Sequence, residues 1–180
     1  MFSVSFAFGS CAVLIGWILY RSLNCAIKKA FSLKTEALQL LMLINLLVIY
    51  RMTFHPFSKV DGQVQPLIFD AATAFPFRMN LIPFVNLGDY EIKSEMWLNL
   101  IGNCAMFIPT GIIVPILYPN CKSFKKTVLT GFLISLVIEV IQLPFAVRCS
   151  DVDDLILNTA GCIIGYGIYA LTKRRKHVSV

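Results

Sequence analysis

The chain has 180 residues, of which 57% are hydrophobic and only 14% are charged, and its mean hydropathy is +0.74. A soluble domain carries about 25% charged residues, so this composition excludes an ordinary soluble domain and predicts an all-α, polytopic integral membrane protein. The net charge of +6 then matters mainly through where the basic residues lie.

Five stretches are apolar and long enough to cross a bilayer as helices, which takes roughly 20 residues each. In chain order, the predicted spans are about 2–20, 37–54, 97–118, 127–147 and 154–171, within one membrane domain that covers 1–180. The first stretch has no basic residue before it and no clear cleavage site. We therefore expect it to be a retained helix and not a signal peptide.

The basic residues predict an orientation for these spans. Eleven of the 16 Lys and Arg residues fall between spans one and two, between spans three and four, and in the tail after span five. Five alternating spans place these three segments on one side. The positive-inside rule then predicts an outer N-terminus and a cytoplasmic C-terminus for a multi-pass membrane protein.

The one long connection, about 55–96, is expected on the outer side. Its segments 66–70 and 75–84 are apolar and aromatic, and their prolines disfavour a long helix. We expect this connection to lie at the membrane–water interface or to form a hairpin that dips into the bundle. The basic run 173–176 abuts the last span, which favours a topology signal over nucleic-acid binding.

No sequence motif indicates a cofactor, a metal or nucleophilic catalysis. The chain contains no P-loop, no GxSxG and no HExxH, and the spacing of its six cysteines is not that of a metal site. We therefore expect no bound cofactor and no metal ligands.

Polar side chains from three spans and two connections fall at one level, near the outer leaflet. Residues three or four apart share a helix face, so each span presents its polar residues together. A charge inside a membrane is costly, so Glu139 is expected to face the bundle interior. It is either protonated there or has a partner, for which the candidates are Arg148, Arg78, Asn99, Asn103 and Gln142. The converging set is Arg78, Asn80, Asn99, Asn103, Glu139, Gln142, Arg148, Asp151, Asp154 and Asn158.

The partners of the buried polar residues stay open at this point. The amides can be functional. Alternatively, they can form only interhelical hydrogen bonds, with Glu139 and Gln142 bonded to Asn103 and Asn158. For Glu139 itself we favour a function, because an amide would join helices at a lower cost.

The charged residues beside span five have alternative interpretations as well. Arg148 lies between Glu139 and Asp151 in the sequence, so a charge pair is at least as expected as a solvated loop position. Asp153 suits the start of a helix, and we expect no further role for it. Arg78 either joins the polar level or merely extends to the interface.

Span five carries a stripe of residues that share one face. Asp154, Asn158, Gly161 and Gly165 follow a 4-3-4 spacing, so Asp154 is expected to point inward beside Asn158. The two glycines form a GxxxG element, which permits a close approach of a neighbouring helix.

Four motifs in this order give the chain a family resemblance. They are Arg78-Met-Asn-Leu-Ile-Pro-Phe84, Asn99-Leu-Ile-Gly-Asn103 with Pro109 and Gly111, Ser135-x-x-x-Glu139-x-x-Gln142, and Arg148-x-x-Asp151-x-Asp153-Asp154-x-x-x-Asn158-x-x-Gly161. Over about 78–167, the chain resembles the VanZ-like family. The resemblance implies a cell-envelope protein of Gram-positive bacteria that is associated with antibiotic resistance to glycopeptides, teicoplanin in particular. It implies no defined reaction.

Three functions follow from these residues, and we favour the first. In the first, the polar level binds an outer-leaflet amphiphile, which is a membrane lipid, a cell-wall precursor or a lipoglycopeptide, and Arg78 and Arg148 hold its phosphate or carboxylate. In the second, the protein is an enzyme acting on a lipid or wall glycan, with Glu139 or Asp154 as acid or base. In the third, the polar network only holds helices together or binds a partner protein. The oligomeric state is open.

Overall fold

The computed structural model describes residues 1–28, 32–55, 59–60, 63–64, 66–75, 78–85, 92–146 and 148–178. Five helices dominate: α1 (Phe6–Lys28), α2 (Leu33–Phe54), α3 (Lys93–Leu117), α4 (Phe124–Gln142) and α5 (Val152–Val178). The short strands are β1 (Phe2–Val4), β2 (Lys59–Val60), β3 (Gln63–Val64), β4 (Leu67–Phe69), β5 (Met79–Asn80) and β6 (Ser150–Asp151). They form three two-stranded pairs, β1 with β4, β2 with β3, and β5 with β6.

In the described part of the chain, four helices are long and apolar enough to cross a membrane, namely α1, α2, α3 and α5. This confirms a mostly helical protein with several membrane-length helices. Helix α4 differs from these four, because its 19 residues include Lys125 and Lys126 near its start and Glu139 near its end.

Contacts at the helix ends show that the five helices run alternately up and down. At one end, Arg21 of α1 pairs with Glu36 of α2 at 2.5 Å, and Tyr20 donates to the Tyr118 hydroxyl just after α3. We call this the basic end, because Lys122 also lies there and its carbonyl accepts from the Tyr166 hydroxyl of α5. We call the opposite end, where α2 and α4 end and α3 and α5 begin, the polar end.

Helices α3 and α5 form the closest helix pair of the bundle. A Cβ placed on Gly161 would overlap the Cys104 carbonyl oxygen, and one on Gly165 would overlap the Ile108 carbonyl oxygen. In the other direction, Gly111 of α3 meets the backbone of α5 in the same way. The predicted close approach at the GxxxG element is therefore confirmed, since only glycine leaves room for backbone contact.

The connection between α2 and α3 enters the bundle at β4. Leu67 is only 2% exposed and packs with Phe54 and Phe145 in the core cluster at the polar end. Strand β4 also pairs with β1, in the register Phe2 to Phe69. Residues 2–4, which the sequence placed in the first span, are therefore a strand, and α1 begins at Phe6.

Candidate functional site

Strand pairing assembles the polar end from distant parts of the chain. Strands β5 and β6 are parallel, with Met79 opposite Ser150 and Asn80 opposite Asp151. The Ser150 N–H also donates to the Arg78 carbonyl at 3.1 Å. This pairing holds the 78–80 segment against the segment that leads into α5, so the first and last of the four sequence motifs meet.

Glu139 is buried near the end of α4, where it is 5% exposed. Its Oε2 accepts a hydrogen bond from the Asp151 backbone N–H at 2.9 Å, and the Ser150 side chain lies near the carboxylate. The predicted candidates for a partner were all side chains, and this backbone N–H was not among them. A neutral donor from the β6 segment holds this carboxylate, because that segment passes directly over the end of α4.

Asp151 organises the start of α5 and the segment beside it. Its two carboxylate oxygens accept from the Asn80 amide at 3.1 and 3.2 Å, and Oδ1 accepts from the Asp153 N–H at 2.9 Å. The other side of the Asn80 amide, Oδ1, accepts from the Ile82 N–H. One carboxylate thus satisfies an early N–H of α5 and fixes the 78–82 segment.

Asp153 has a role that the sequence did not reveal. It is 8% exposed, and its Oδ1 accepts from the Phe84 backbone N–H at 2.8 Å. Phe84 has a φ of 60°, the left-handed region that is strained for a non-glycine residue. The expectation that Asp153 only starts the helix is therefore wrong, because its carboxylate also holds this turn.

Asp154 joins α5 to α3 by an amide chain. The Asn103 amide nitrogen donates to Asp154 Oδ1 and also to Oδ1 of the Asn99 side chain at 2.9 Å. Asp154 faces the bundle, as its place on the α5 stripe predicted. The negative charges of Glu139, Asp151 and Asp153 act on it, so four carboxylates share this end of the bundle.

Below this level, the fully buried pair Ser135 and Asn158 connects α4 with α5. The Asn158 amide nitrogen donates to Ser135 Oγ at 2.9 Å, and both residues have 0% exposure. Among the described residues, the Asn158 amide oxygen has no hydrogen-bond partner. The predicted pairing of Glu139 and Gln142 with Asn103 and Asn158 is wrong, since both asparagines bond elsewhere.

Gln142 and Arg148 point to α2 and not to the carboxylates. The Gln142 amide donates to the Thr53 carbonyl at 3.0 Å, and the Arg148 guanidinium donates to the Phe54 carbonyl at 2.8 Å. These carbonyls belong to the last turn of α2, which has no intrahelical donors for them, and a cation is favourable there. The predicted charge pair of Arg148 with Glu139 or Asp151 is therefore wrong.

His55 lies beside this arginine, immediately after α2. Its Nε2 shares a hydrogen bond with the Tyr50 hydroxyl at 2.9 Å. Partial burial lowers the pKa of His55, and the positive charges of Arg51 and Arg148 lower it further. Burial also lowers the pKa of Arg148 from its ordinary value.

Arg78, in contrast, is exposed, and its guanidinium donates to the Ala146 carbonyl at 2.7 Å. It therefore joins the 78–80 segment to the connection between α4 and β6 through a hydrogen bond to the backbone. Sequence reasoning included Arg78 in the polar level but gave it no backbone partner.

The predicted site thus divides into two groups at the polar end. The acid–amide cluster is Asn80, Asn99, Asn103, Glu139, Asp151 and Asp154, with Asn158 one layer deeper. The arginine group is His55, Gln142 and Arg148. No set of His, Cys, Asp and Glu in the described ranges has the arrangement of a metal site. Chemically, the first group offers carboxylates and amides, and the second offers positive charge.

The arginine group contains partners that sequence reasoning missed. Thr53 and Phe54 contribute only backbone carbonyls, and His55 was not among the predicted site residues. A usable signal was present, because Pro56 follows span two closely in the sequence and the last carbonyls of a helix need donors. Polar residues predicted at the same level were the natural candidates.

Comparison with known proteins gives the family. A family model described as VanZ/LLP1 matches residues 42–173, so the chain belongs to this family and the predicted resemblance is confirmed. A curated relative, Protein VanZ of Enterococcus faecium, is 29% identical over 96 residues, which are 53% of this chain and 55% of the relative. The chain therefore matches about half the length of that relative. No solved structure matches the chain.

Proposed function

We propose that this member of the VanZ/LLP1 family is a multi-pass protein of the bacterial cytoplasmic membrane, and that its polar end faces outward. Helix α4 is the fifth span, because it lies antiparallel between membrane-length neighbours and keeps its lysines at the basic end. The positive-inside rule supports this orientation. In this orientation, the acid–amide cluster binds an outer-leaflet amphiphile, which is a lipid, a cell-wall precursor or a lipoglycopeptide.

The observation that carries the proposal is the burial of Glu139, together with the half-buried position of Asp154, beside neutral donors. Ionisable groups inside a membrane bundle are costly and are usually retained for function. A purely structural contact to the Asp151 N–H or to the Asn103 amide requires only a neutral acceptor. Carboxylates at these two positions therefore favour a ligand that uses the charge or the proton.

Access to the cluster from the interface supports an amphiphilic ligand. Leu81 is 69% exposed and Ile82 is 65% exposed, and both follow directly on Asn80 of the cluster. Exposed apolar side chains at a polar level suit the membrane–water boundary. A ligand that lies partly in the bilayer would reach the carboxylates along this segment.

We further propose that ligand binding lowers susceptibility to teicoplanin. The test is a teicoplanin susceptibility assay in a sensitive Gram-positive host, with vancomycin alongside and matched membrane levels of each variant. Glu139→Gln is the informative substitution, because the amide oxygen still accepts the Asp151 N–H while the charge is gone. Arg148→Ala tests the arginine group in the same assay.

Asp70→Asn is the matched control for loss of an acid. Asp70 also accepts a backbone N–H, from Ala72, and lies outside the acid–amide cluster. The proposal expects protection by wild type and by Asp70→Asn, and loss of protection in Glu139→Gln. A well-folded wild type that gives no protection would refute the resistance role, and full protection by Glu139→Gln would refute the site.

A second candidate function is catalysis on a membrane lipid or wall glycan. It is favoured by the different surroundings of the two carboxylates, since Glu139 is held by a backbone N–H and Asp154 by a side-chain amide. Such a difference is typical of an acid–base pair. Mass spectrometry of membrane lipids with and without expression would detect a product, which must disappear in Glu139→Gln while the fold persists.

A purely structural role predicts a different outcome. Glu139→Gln would then change the thermal stability of the purified protein, or nothing at all, and any phenotype of expression would remain. Measuring unfolding and susceptibility on the same variant separates this role from both others.

A further inference from the structure

An apolar groove runs along the bundle between α1, α2 and α4 and ends beside the arginine group. Its volume is about 800 Å³, within the range of pockets that hold drug-sized ligands. Representative lining residues are Ala12 and Val13 of α1, Ile49 of α2, and Leu133 and Val137 of α4. It is separate from the acid–amide cluster, which lies between α3, α4 and α5.

The length of the groove matches one leaflet of a bilayer. On α4 the lining extends from Thr130 to Ile141, which is about 16 Å at 1.5 Å per residue. Half of the hydrocarbon core of a bilayer is roughly 15 Å thick. An acyl chain that enters at the polar end would therefore be accommodated along its length, with its headgroup at the level of the arginine group.

The polar end of the groove is positively charged and has unsatisfied hydrogen-bonding atoms. Gln142 and Arg148 are bonded to the carbonyls of Thr53 and Phe54, whose own side chains line the groove. Within the described residues, Gln142 Oε1 and Arg148 Nε are buried and have no partner. Gln142 is only 5% exposed.

A second apolar groove, between α2 and α3, differs from the first in the hydrogen bonding of its polar residue. It measures about 590 Å³ and contains Asn45. The Asn45 amide is satisfied on both sides, since it donates to the Met106 carbonyl and accepts from the Thr110 hydroxyl. Ordinary lipid tails can fill such a groove without any preference for a headgroup.

We propose that the α1–α2–α4 groove binds one acyl chain of an anionic outer-leaflet lipid, whose headgroup is held by Arg148 at the polar end. The proposal rests on the orientation given in the proposed function, and it adds a second site, separate from the acid–amide cluster, for an anionic and acylated lipid. Charge complementarity selects the headgroup, since the positive charges of Arg51 and Arg148 both act on His55 and therefore lie close to one another at the end of α2.

The test uses vesicles of equimolar phosphatidylglycerol and phosphatidylcholine with identical acyl chains. Full-length protein reconstituted in these vesicles is extracted in mild detergent, and native mass spectrometry counts the retained lipids by headgroup. Val137→Trp fills the groove, because Val137 lines it and is 55% exposed. Val140→Trp is the matched control, since Val140 is on the same helix, is 56% exposed, and lies outside the groove.

Wild type and Val140→Trp are expected to retain phosphatidylglycerol in preference to phosphatidylcholine. Val137→Trp is expected to lose both lipids. Arg148→Gln is expected to keep retention but to lower the headgroup preference about fivefold, the effect of one basic residue near a charged surface. Arg148→Lys, which keeps the charge, is expected to preserve most of the preference.

Equal retention by Val137→Trp and Val140→Trp would overturn the groove as the site. A wild type without headgroup preference, or an Arg148→Gln variant that keeps it, would overturn the anionic ligand. Glu139→Gln separates this proposal from the proposed function. If it abolishes teicoplanin protection while Val137→Trp leaves lipid retention unchanged, the function stands and the groove fails. If lipid retention behaves as expected but no variant affects susceptibility, the groove stands and the proposed function fails.

Discussion

Helices α3 and α5 touch through their backbones, whereas α1 is joined to the bundle mainly near its two ends. Gly111, Gly161 and Gly165 allow the first contact. Near the start of α1, Gly9 lies against the Tyr50 ring, and near its end Arg21 pairs with Glu36. Between these ends, no residue of α1 up to Leu23 is buried.

This difference teaches how one small bundle can combine a fixed site with an adaptable surface. Backbone contact between α3 and α5 leaves no freedom for side-chain rearrangement, so Asn103 and Asp154 are held in a constant relation. The long gap beside α1 instead leaves an apolar groove, which lipid can fill. The acid–amide cluster lies on the rigid pair, and the arginine group lies beside the groove.

The largest effect is expected from Gly161→Ala, which disrupts the backbone contact between α3 and α5. Its Cβ would overlap the Cys104 carbonyl oxygen, so α3 and α5 must separate, at a cost of about 3 kcal/mol or more. Thermal unfolding in detergent and the amount of folded protein in membranes measure the loss. Gly16→Ala in α1 is the control, because nothing lies within 4 Å of its added Cβ, and a gain of up to ~1 kcal/mol is expected. Similar losses of stability in Gly161→Ala and Gly16→Ala would contradict the difference between the α3–α5 contact and α1.

A smaller effect is expected from Asn103→Leu, which breaks the amide chain on the rigid pair. The Asp154 carboxylate then loses its Asn103 donor, which should lower the free energy of unfolding by about 1–3 kcal/mol. Asn99→Leu is matched in residue type and helix but removes only an exposed end of the chain, so a change within about 0.5 kcal/mol is expected. Denaturation of both variants measures the two free energies of unfolding. An Asn103→Leu variant as stable as wild type would show that the hydrogen bonds of Asn103 do not stabilise the fold.

Arg148→Met tests the arginine group in the same way. The Phe54 carbonyl loses its donor at the end of α2, so we expect a loss of about 1 kcal/mol. Arg78→Met also removes a donor from a carbonyl, but Arg78 is exposed, and we expect less than about 0.5 kcal/mol. If Arg78→Met lowered the unfolding temperature more than Arg148→Met, the hydrogen bond of Arg148 to the Phe54 carbonyl would not be the more stabilising of the two.

The smallest effect is a pH dependence carried by His55. Its folded-state pKa is lowered, so the unfolded chain binds the proton more readily and stability falls as pH drops below about 6.5. His55→Gln should remove that part of the loss, because glutamine does not titrate. Unfolding temperatures of wild type and variant at pH 7.5 and pH 5.5 measure the slope. Identical slopes would show that other groups carry the acid sensitivity.

Several parts of the site could be predicted from the sequence, and their reasons are local. The α5 stripe placed Asp154 and Asn158 inward because residues four apart share a helix face. The glycine spacing predicted a close contact with a neighbouring helix, and the structure shows that this helix is α3. The polar level itself followed from counting along each span, and the buried position of Glu139 followed from the cost of a charge in lipid.

The partners of those residues could not be predicted in the same way. For Glu139 the sequence left arginine and amide side chains open as partners, but the structure places the backbone N–H of Asp151 against its carboxylate. Arg148 lies nine residues from Glu139 in the sequence, yet it bonds to Phe54, which is far away along the chain. Which donor meets which acceptor depends on how the loops cross the helix ends, and hydropathy carries no information about that.

The sequence by itself determined a helical protein with membrane-length helices, their alternation, and the end at which the basic residues gather. These features depend on the length of apolar stretches and on the 3.6-residue period, both of which are local. Only the tertiary structure decided the β5–β6 pairing, the anchoring of Arg148 to α2, and the groove beside α1. Each of these depends on contacts between segments far apart in the chain, where several pairings satisfy the same composition and one packing selects among them.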